Sequence, residues 1–384
     1  MKKLRTALVG SGKVGHTHAS ALKKDPASEF VAVFNHTAEK AYAFADQYGV
    51  SAYTNFESMV KDAGVEMISV CTPHPSHAQY IVAAAEMGVH VLCEKPLAAS
   101  LLDCDRAIQA CRANKVKLGM VSQRRFYPPI QRMANALNEG KIGKPILATL
   151  QVMGWRDEAY YKLDKWRGKW ITEGGGVLVN QTVHQLDLLQ WLMGPISELF
   201  GYWDNLNHPY VEVEDTAIAV LRFKSGALGQ ILVSNSQKPG FYGKLHIHGS
   251  LGSSIGAQTE GGSPFVAGVT TEVEAPFNDI WTVSGEEGLL AQWQQEDRKD
   301  AQTHNPMTYY HSMQIEDFLN AVILDHEPFV NGEEARKSVE LFTAIYRSQR
   351  DHAPVSFPLF PEQDRQDFDG RLTHPLFSRR QEGN

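Results

Sequence analysis

The chain has 384 residues, 43% hydrophobic and 21% charged, a length that predicts two domains and a composition that excludes a disordered or fibrous protein. Its 37 Lys+Arg against 44 Asp+Glu leave a formal charge of −7, and without a long basic run nucleic acid is excluded as a partner. The apolar stretch behind Met1-Lys2-Lys3-Leu4-Arg5 breaks at Gly10 and Lys13, and no later run approaches the roughly 20 residues of a membrane span, so a soluble, cytoplasmic protein with no membrane partner is expected.

Five short, almost wholly apolar runs occupy 6–9, 30–34, 67–71, 89–93 and 118–121, the texture of strands buried on both faces. Helical patterns such as 39–48 and 76–87 lie between them and are long enough to carry right-handed crossovers, so the first third predicts a parallel, doubly wound α/β sheet. Cys71, Cys93, Cys104 and Cys111 fall within this part with neither C-x-x-C spacing nor metal-spaced histidines beside them. They read as reduced, buried residues, and no metal site is expected. The alternation stops at Tyr127-Pro128-Pro129, where a helix-like segment, 130–138, leads to Gly140, Gly143 and Pro145. The boundary is therefore set at 125, giving domains 1–125 and 126–384.

The second domain opens with a strand at 146–152, then a polar, aromatic stretch, 155–170, the Gly174-Gly175-Gly176 hinge and a helix ending at Met193. Segments 216–223 and 227–234 read as strands joined by the turn Lys224-Ser225-Gly226. This texture is α+β. The Gly- and Ser-rich 249–268 reads as loop, while 312–324 and 333–350 have helical periodicity. The tail 354–384, with Phe357, Phe360, Phe368 and Phe377 among prolines and charges, reads as either a docked arm or a partly disordered end.

Gly10-Ser11-Gly12-Lys13-Val14-Gly15 is a G-x-G-x-x-G directly after the first strand and at the opening of a helix. The first glycine permits the tight turn, the second lets a pyrophosphate approach the backbone, and the third allows helix to pack on strand. A glycine turn that binds nothing is the alternative; the strand and helix alternation favours a dinucleotide. The second strand ends Asn35-His36-Thr37, where an acidic residue usually holds the adenosine ribose. His36, Thr37 and Lys40 could contact a 2′-phosphate and Asn35 could hold a ribose diol, so NAD and NADP both stay open. A solvated loop role for His36 stays open too.

Other strands end at Thr72-Pro73-His74, Glu94-Lys95-Pro96 and Ser122-Gln123-Arg124-Arg125, the carboxyl edge at which doubly wound sheets bind ligands. Lys95 stands out because the proline after it holds its backbone extended, and a cationic nicotinamide nearby would lower its pKa toward neutrality. The alternative is a solvated lysine. Asn180, His184 and Asp187 fall at i, i+4 and i+7 on one face of a largely apolar helix, so His184 reads as a catalytic or a hydrogen-bonded structural histidine. Trp166-Arg167-Gly168-Lys169-Trp170 with Trp155, Tyr160 and Tyr161 could line a sugar pocket or serve as core or interface aromatics.

The order and separation of Gly10-x-Gly12-x-x-Gly15, Thr72-Pro73 with His77, Glu94-Lys95-Pro96, Gln123-Arg124-Arg125-Phe126, and Gly174-Gly175-Gly176 with Asn180-x-x-x-His184-x-x-Asp187 resemble the Gfo/Idh/MocA oxidoreductase family. The resemblance runs from the first strand to about Arg350. It implies an N-terminal Rossmann domain and a C-terminal α+β domain whose open, mainly antiparallel sheet binds substrate and builds a homodimer or homotetramer. It implies NAD or NADP held by residues 10–15, Asn35, His36, Thr37, Lys40, Thr72, Pro73, His74, His77, Glu94, Lys95 and Gln123. A small-molecule sugar, glycoside or polyol would be held by Lys95, Arg124, Arg125, Trp155, Tyr160, Trp166, Arg167, Asn180 and His184, with Lys95 and His184 as the catalytic pair.

Many members carry aspartate where this chain has Asn180, and an amide cannot accept a proton as a carboxylate does. Proton transfer is therefore expected at His184 or Lys95. The expected reaction is reversible hydride transfer between a secondary alcohol carbon and nicotinamide C4. Two other readings use the same site: an oxidoreductive glycosidase that transiently oxidises a ring carbon with tightly held NAD, and a non-catalytic dinucleotide sensor.

Overall fold

The computed structural model describes residues 3–241, 243–259 and 275–362. The chain forms two compact units: Met1–Ala99, Asp103–Gln123 and Pro306–Arg336 make the first, and Ser100–Leu102, Arg124–Asn305 and Lys337–Asn384 the second. Residues 306–336, expected in the second domain 126–384, belong to the first unit.

In the first unit β1 (Leu4–Val9), β2 (Ser28–Phe34), β3 (Ser51–Tyr53), β4 (Met67–Val70), β5 (His90–Cys93) and β6 (Leu118–Met120) form one sheet in the order β3-β2-β1-β4-β5-β6. Every pairing in it is parallel, as the continuous apolar runs require. β3 was not expected from the sequence. It is a three-residue edge strand with exposed and half-buried side chains, so it carries no apolar run to betray it.

Helix Lys13–Lys24 buries Ala21 and Leu22 in a core with Leu4, Met67 and Leu92. Ile315, Phe318 and Leu319 of helix Pro306–Ile323 complete that core, each burial stabilising by about 1.5–3 kcal/mol. The helix approaches so closely that a Cβ at Gly119 would lie 2.8 Å from the Phe318 ring. Gln314, from the same helix, accepts from Ser122 N at 2.7 Å and donates to Met120 O at 2.7 Å, satisfying backbone groups at the end of edge strand β6.

In the second unit β7 (Pro145–Met153), β8 (Ile196–Asp204), β9 (Thr216–Phe223), β10 (Leu228–Ser234), β11 (Gly243–Gly249), β12 (Ser254–Thr259), β13 (Phe277–Trp281) and β14 (Val355–Ser356) form an open sheet in the order β13-β12-β11-β7-β10-β9-β8-β14. β7 and β10 run parallel and the other pairs antiparallel. Strict alternation of buried and outward residues along β9 and β11 leaves one face covered and the other outward. The expected hairpin is β9 and β10, turned at Gly226.

Part of 249–268 is strand β12 and not loop, because alternate small and apolar residues pair with β11; 260–268 lies outside the described residues. Strands β8 and β13 and helix Leu289–Thr303 had no sequence signal assigned to them. At the start of the tail, Val355 and Ser356 pair with β8 and Phe360 is exposed. Phe368 and Phe377 lie outside the described residues. Among the described residues no helix is long and apolar enough to cross a membrane.

Candidate active site

The turn after β1 has backbone that only glycine adopts readily: Gly10 has φ +99°, and a Cβ there would lie 2.6 Å from Cys71 O. Gly12 is the opposite case. It caps helix Lys13–Lys24 with no side-chain hydrogen bond, and a Cβ placed on it meets nothing within 4 Å. An uncapped helix N-terminus beside open space is the anion cradle a dinucleotide pyrophosphate fits.

Ser11 Oγ accepts from Asn35 Nδ2 at 2.7 Å, and Asn35 Oδ1 accepts from Thr37 N at 2.9 Å, so Asn35 ties the glycine turn to the end of β2. Val14 and Thr37 are half-buried, and Lys13, His36 and Lys40 are exposed around this turn.

At the end of β4, Ser76 Oγ donates to Thr72 Oγ1 at 2.8 Å, and His74 is buried. His77 is fully buried, with Nδ1 2.8 Å from Pro96 O and Nε2 2.8 Å from Thr72 O. It braces the loops that follow β4 and β5.

Glu94 is likewise turned into the core. Its Oε1 lies 2.9 Å from His18 Nε2 and 3.5 Å from His311 Nε2. Burial alone would raise its pKa, but the hydrogen bonds and charges of His18 and His311 hold the carboxyl well below the usual range. Lys95 is half-buried, with its peptide N–H donating to Glu94 Oε2 at 3.2 Å and a cis bond to Pro96. Beyond β6, Gln123 is buried with an Oε1 that has no hydrogen-bond partner, an acceptor at the carboxyl edge suited to a donor on a bound group.

In the second unit, the glycine hinge leads into a π-turn, Val177–Gln181, and only then into helix Val183–Met193. Asn180 therefore lies on the turn that precedes the helix carrying His184 and Asp187. Glu214 shapes this turn: its carboxylate accepts from Gly176 N at 2.8 Å and Leu178 N at 3.0 Å. Gly176 packs so tightly that a Cβ would fall 1.9 Å from Glu214 O.

Asn180 Nδ2 donates to buried Glu173 and, at 3.4 Å, to Tyr160 OH. Tyr160 OH also receives Arg167 NH1 at 2.5 Å and Gln181 Nε2 at 3.1 Å. The Arg167 guanidinium stacks on Tyr160 and Trp166, each at 4.5 Å. Trp155, Trp166 and Arg167 are half-buried, and Lys169 is exposed. Tyr160, Trp166, Arg167 and Asn180 thus form one connected polar and aromatic cluster.

Glu173 and Glu214 were absent from the sequence reading. Glu173, immediately before the triple glycine, was the one with a local signal.

Arg125 is placed differently from its expected substrate role. It makes a bidentate pair with Asp187, 2.8 and 2.7 Å, with both side chains only 2% exposed, and stacks over Trp191. A carboxylate already occupies the fork that would hold a substrate. Arg124 and His184 are buried. A groove of about 290 Å³, lined by Tyr202, Asp204, Leu206, Thr216 and Ile218 among others, contains none of the candidate site residues.

Known proteins share this organisation. Residues 4–122 match the sequence pattern described as "Oxidoreductase family, NAD-binding Rossmann fold", and 134–357 that described as "Oxidoreductase family, C-terminal alpha/beta domain", the Gfo/Idh/MocA patterns. Myo-inositol 2-dehydrogenase of Thermotoga maritima is 31% identical over 254 residues, 65% of this chain and 74% of that protein. The scyllo-inositol 2-dehydrogenase (NAD(+)) of Bacillus subtilis is 27% identical over 262 residues, 65% of this chain and 73% of that protein. The WlbA dehydrogenase of Bordetella pertussis, solved with NADH and UDP-GlcNAcA, superposes with a TM-score of 0.83 at 27% identity, covering 94% of this chain and 99% of that one.

Proposed function

Because the chain belongs to the Gfo/Idh/MocA oxidoreductase family and is an NAD(P)-dependent dehydrogenase, we propose that it interconverts a secondary alcohol and a ketone on a sugar, glycoside or cyclic polyol. Bound NAD(P) supplies the hydride acceptor or donor. The observation that carries the reading is the uncapped helix N-terminus at Gly12 with open space before it, repeated in a chain whose relatives include two inositol dehydrogenases.

The Gly10–Gly15 turn holds the pyrophosphate, and Asn35, His36, Thr37 and Lys40 contact the adenosine ribose or its phosphate. Lys95 or His184 takes the hydroxyl proton during oxidation and returns it during reduction. Asn180, oriented by Glu173 and Tyr160, hydrogen-bonds a substrate hydroxyl without accepting its proton, and Arg167 with Trp166 and Tyr160 contacts the ring. Arg124 and Trp155 contribute further binding surface. The chain works as a cytoplasmic homodimer or homotetramer.

The test is a panel of sugars, inositols, glycosides and nucleotide sugars with NAD and with NADP, following absorbance of the reduced nicotinamide. Lys95→Ala and His184→Ala should each lower turnover on the active substrate by about 10²–10⁴-fold. Full turnover in either variant removes that residue from the mechanism. Release of an aglycone with no net cofactor reduction identifies the glycosidase chemistry instead.

A further inference from the structure

Beneath Lys95, three buried side chains from separate elements of the first unit meet around a single oxygen. His18 comes from helix Lys13–Lys24, Glu94 follows β5, and His311 comes from helix Pro306–Ile323. Each imidazole is anchored at its far nitrogen: His18 Nδ1 is 2.6 Å from Ser69 Oγ, and His311 Nδ1 is 2.5 Å from Met307 O. The near nitrogens converge on Glu94 Oε1, at 2.9 and 3.5 Å. The other carboxylate oxygen accepts the Lys95 peptide N–H.

The hydrogen bonds dictate the protons. A carbonyl oxygen only accepts, so His311 Nδ1 carries hydrogen. Ser69 can donate to His18 Nδ1, which lets neutral His18 donate to Glu94 from Nε2; burial favours that neutral form. The direct 2.9 Å contact between His18 and Glu94 is the length of a hydrogen bond.

We propose that His18 and His311 hold Glu94 as a positioning group for Lys95. The two anchored rings fix the carboxylate, and the carboxylate fixes the peptide N–H at the residue from which the ammonium side chain leaves. His77 secures the following peptide, its Nδ1 lying 2.8 Å from Pro96 O. The backbone of Lys95 is thus clamped from both sides by buried groups. This inference rests on the reading of Lys95 as a catalytic residue, and its test separates the two.

The test is hydrogen exchange, read by mass spectrometry, of the full chain as wild type, His18→Gln, His311→Gln, Glu94→Gln and Lys95→Ala. His18→Gln and His311→Gln should speed exchange at the Lys95 amide at least tenfold, leave β1 and β4 amides within twofold, and leave NAD affinity within threefold. On the panel substrate that reports turnover, kcat should fall at least tenfold while KM stays within threefold.

Glu94→Gln keeps an acceptor for the Lys95 amide but no charge for His311. It is the second variant should the histidine changes prevent folding, and it should show the same local loss. Unchanged exchange at Lys95, or exchange rising equally across β1 and β4, overturns the proposal. So does a transition metal at one per chain in the purified protein, which would make these side chains its ligands. If Lys95→Ala keeps full turnover but the exchange changes appear, the clamp stands and the catalytic reading of Lys95 falls.

Discussion

At the scale of single residues, the glycine turn separates structural from functional demand within three positions. Gly10 is forced by the fold, since its φ of +99° and the carbonyl of Cys71 leave no room for a side chain. Gly12 has ordinary extended backbone and empty surroundings, so nothing in the fold alone requires it. Gly10→Ala should therefore destabilise the protein by about 2 kcal/mol or more, visible as a drop in denaturation midpoint. Gly12→Ala should leave that midpoint in place and weaken NAD or NADP binding at least tenfold by calorimetry, because the methyl occupies the volume of the approaching phosphate. Equal affinity in Gly12→Ala and wild type would show that the anion does not sit there. The pairing of Arg125 with Asp187 carries the same lesson: residues adjacent in sequence, Arg124 and Arg125, need not share a task.

At the scale of elements, the π-turn Val177–Gln181 depends on one buried acid. Burial pushes the Glu214 carboxyl up to about 7, outweighing the backbone N–H groups of Leu178 and Gly176 and the Tyr346 hydroxyl, which favour the charged form. Its pKa in the unfolded chain is near 4.5, so the folded state binds more protons between these values. The associated stability is fully present below about pH 4.5 and is lost as pH rises through 7, by at most about 3 kcal/mol.

Asp215 acts in the opposite sense and in another window. Burial would raise its carboxyl, but hydrogen bonds from His208 and the amides of Leu206 and Asn207 bring it down to about 2, so its contribution disappears only in strong acid. The melting temperature should therefore fall between pH 5 and pH 8, and Glu214→Gln should flatten that slope. An identical slope in the variant would assign the pH dependence elsewhere.

For the whole molecule, the proposed association rests on the open sheet of the second unit. Along β8, β9 and β10 the outward residues include Tyr202, Ile218, Val220 and Leu228, with Tyr202 53% and Val220 59% exposed. A contiguous apolar strand face left in water is a surface for another protein chain, and a second copy of this chain covers it in the proposed homo-oligomer. Light scattering at micromolar concentration should give a mass of at least two chains. Val220→Lys with Ile218→Lys should shift it to one, because charges set on the covered face are desolvated by assembly. A monomeric wild type would contradict the assembly, and a double variant that remains oligomeric would move the interface to another face.

Much of the first unit could be read along the chain because its signals are local: continuous apolar runs specify strands buried on both faces, and a glycine turn specifies its own backbone. β3 escaped because an exposed three-residue edge strand has no pattern to display. Most of the candidate site residues could be named from short motifs, but their partners could not. Arg125 and Asp187 are 62 residues apart, His18 and Glu94 are 76, and His311 joins them from a helix far along the chain. Which carboxylate captures which cation, and whether Asn180 lies on the helix or on the turn before it, depends on packing among distant elements. Residue order carries no local trace of such packing, and it emerges once each unit has closed around its own core.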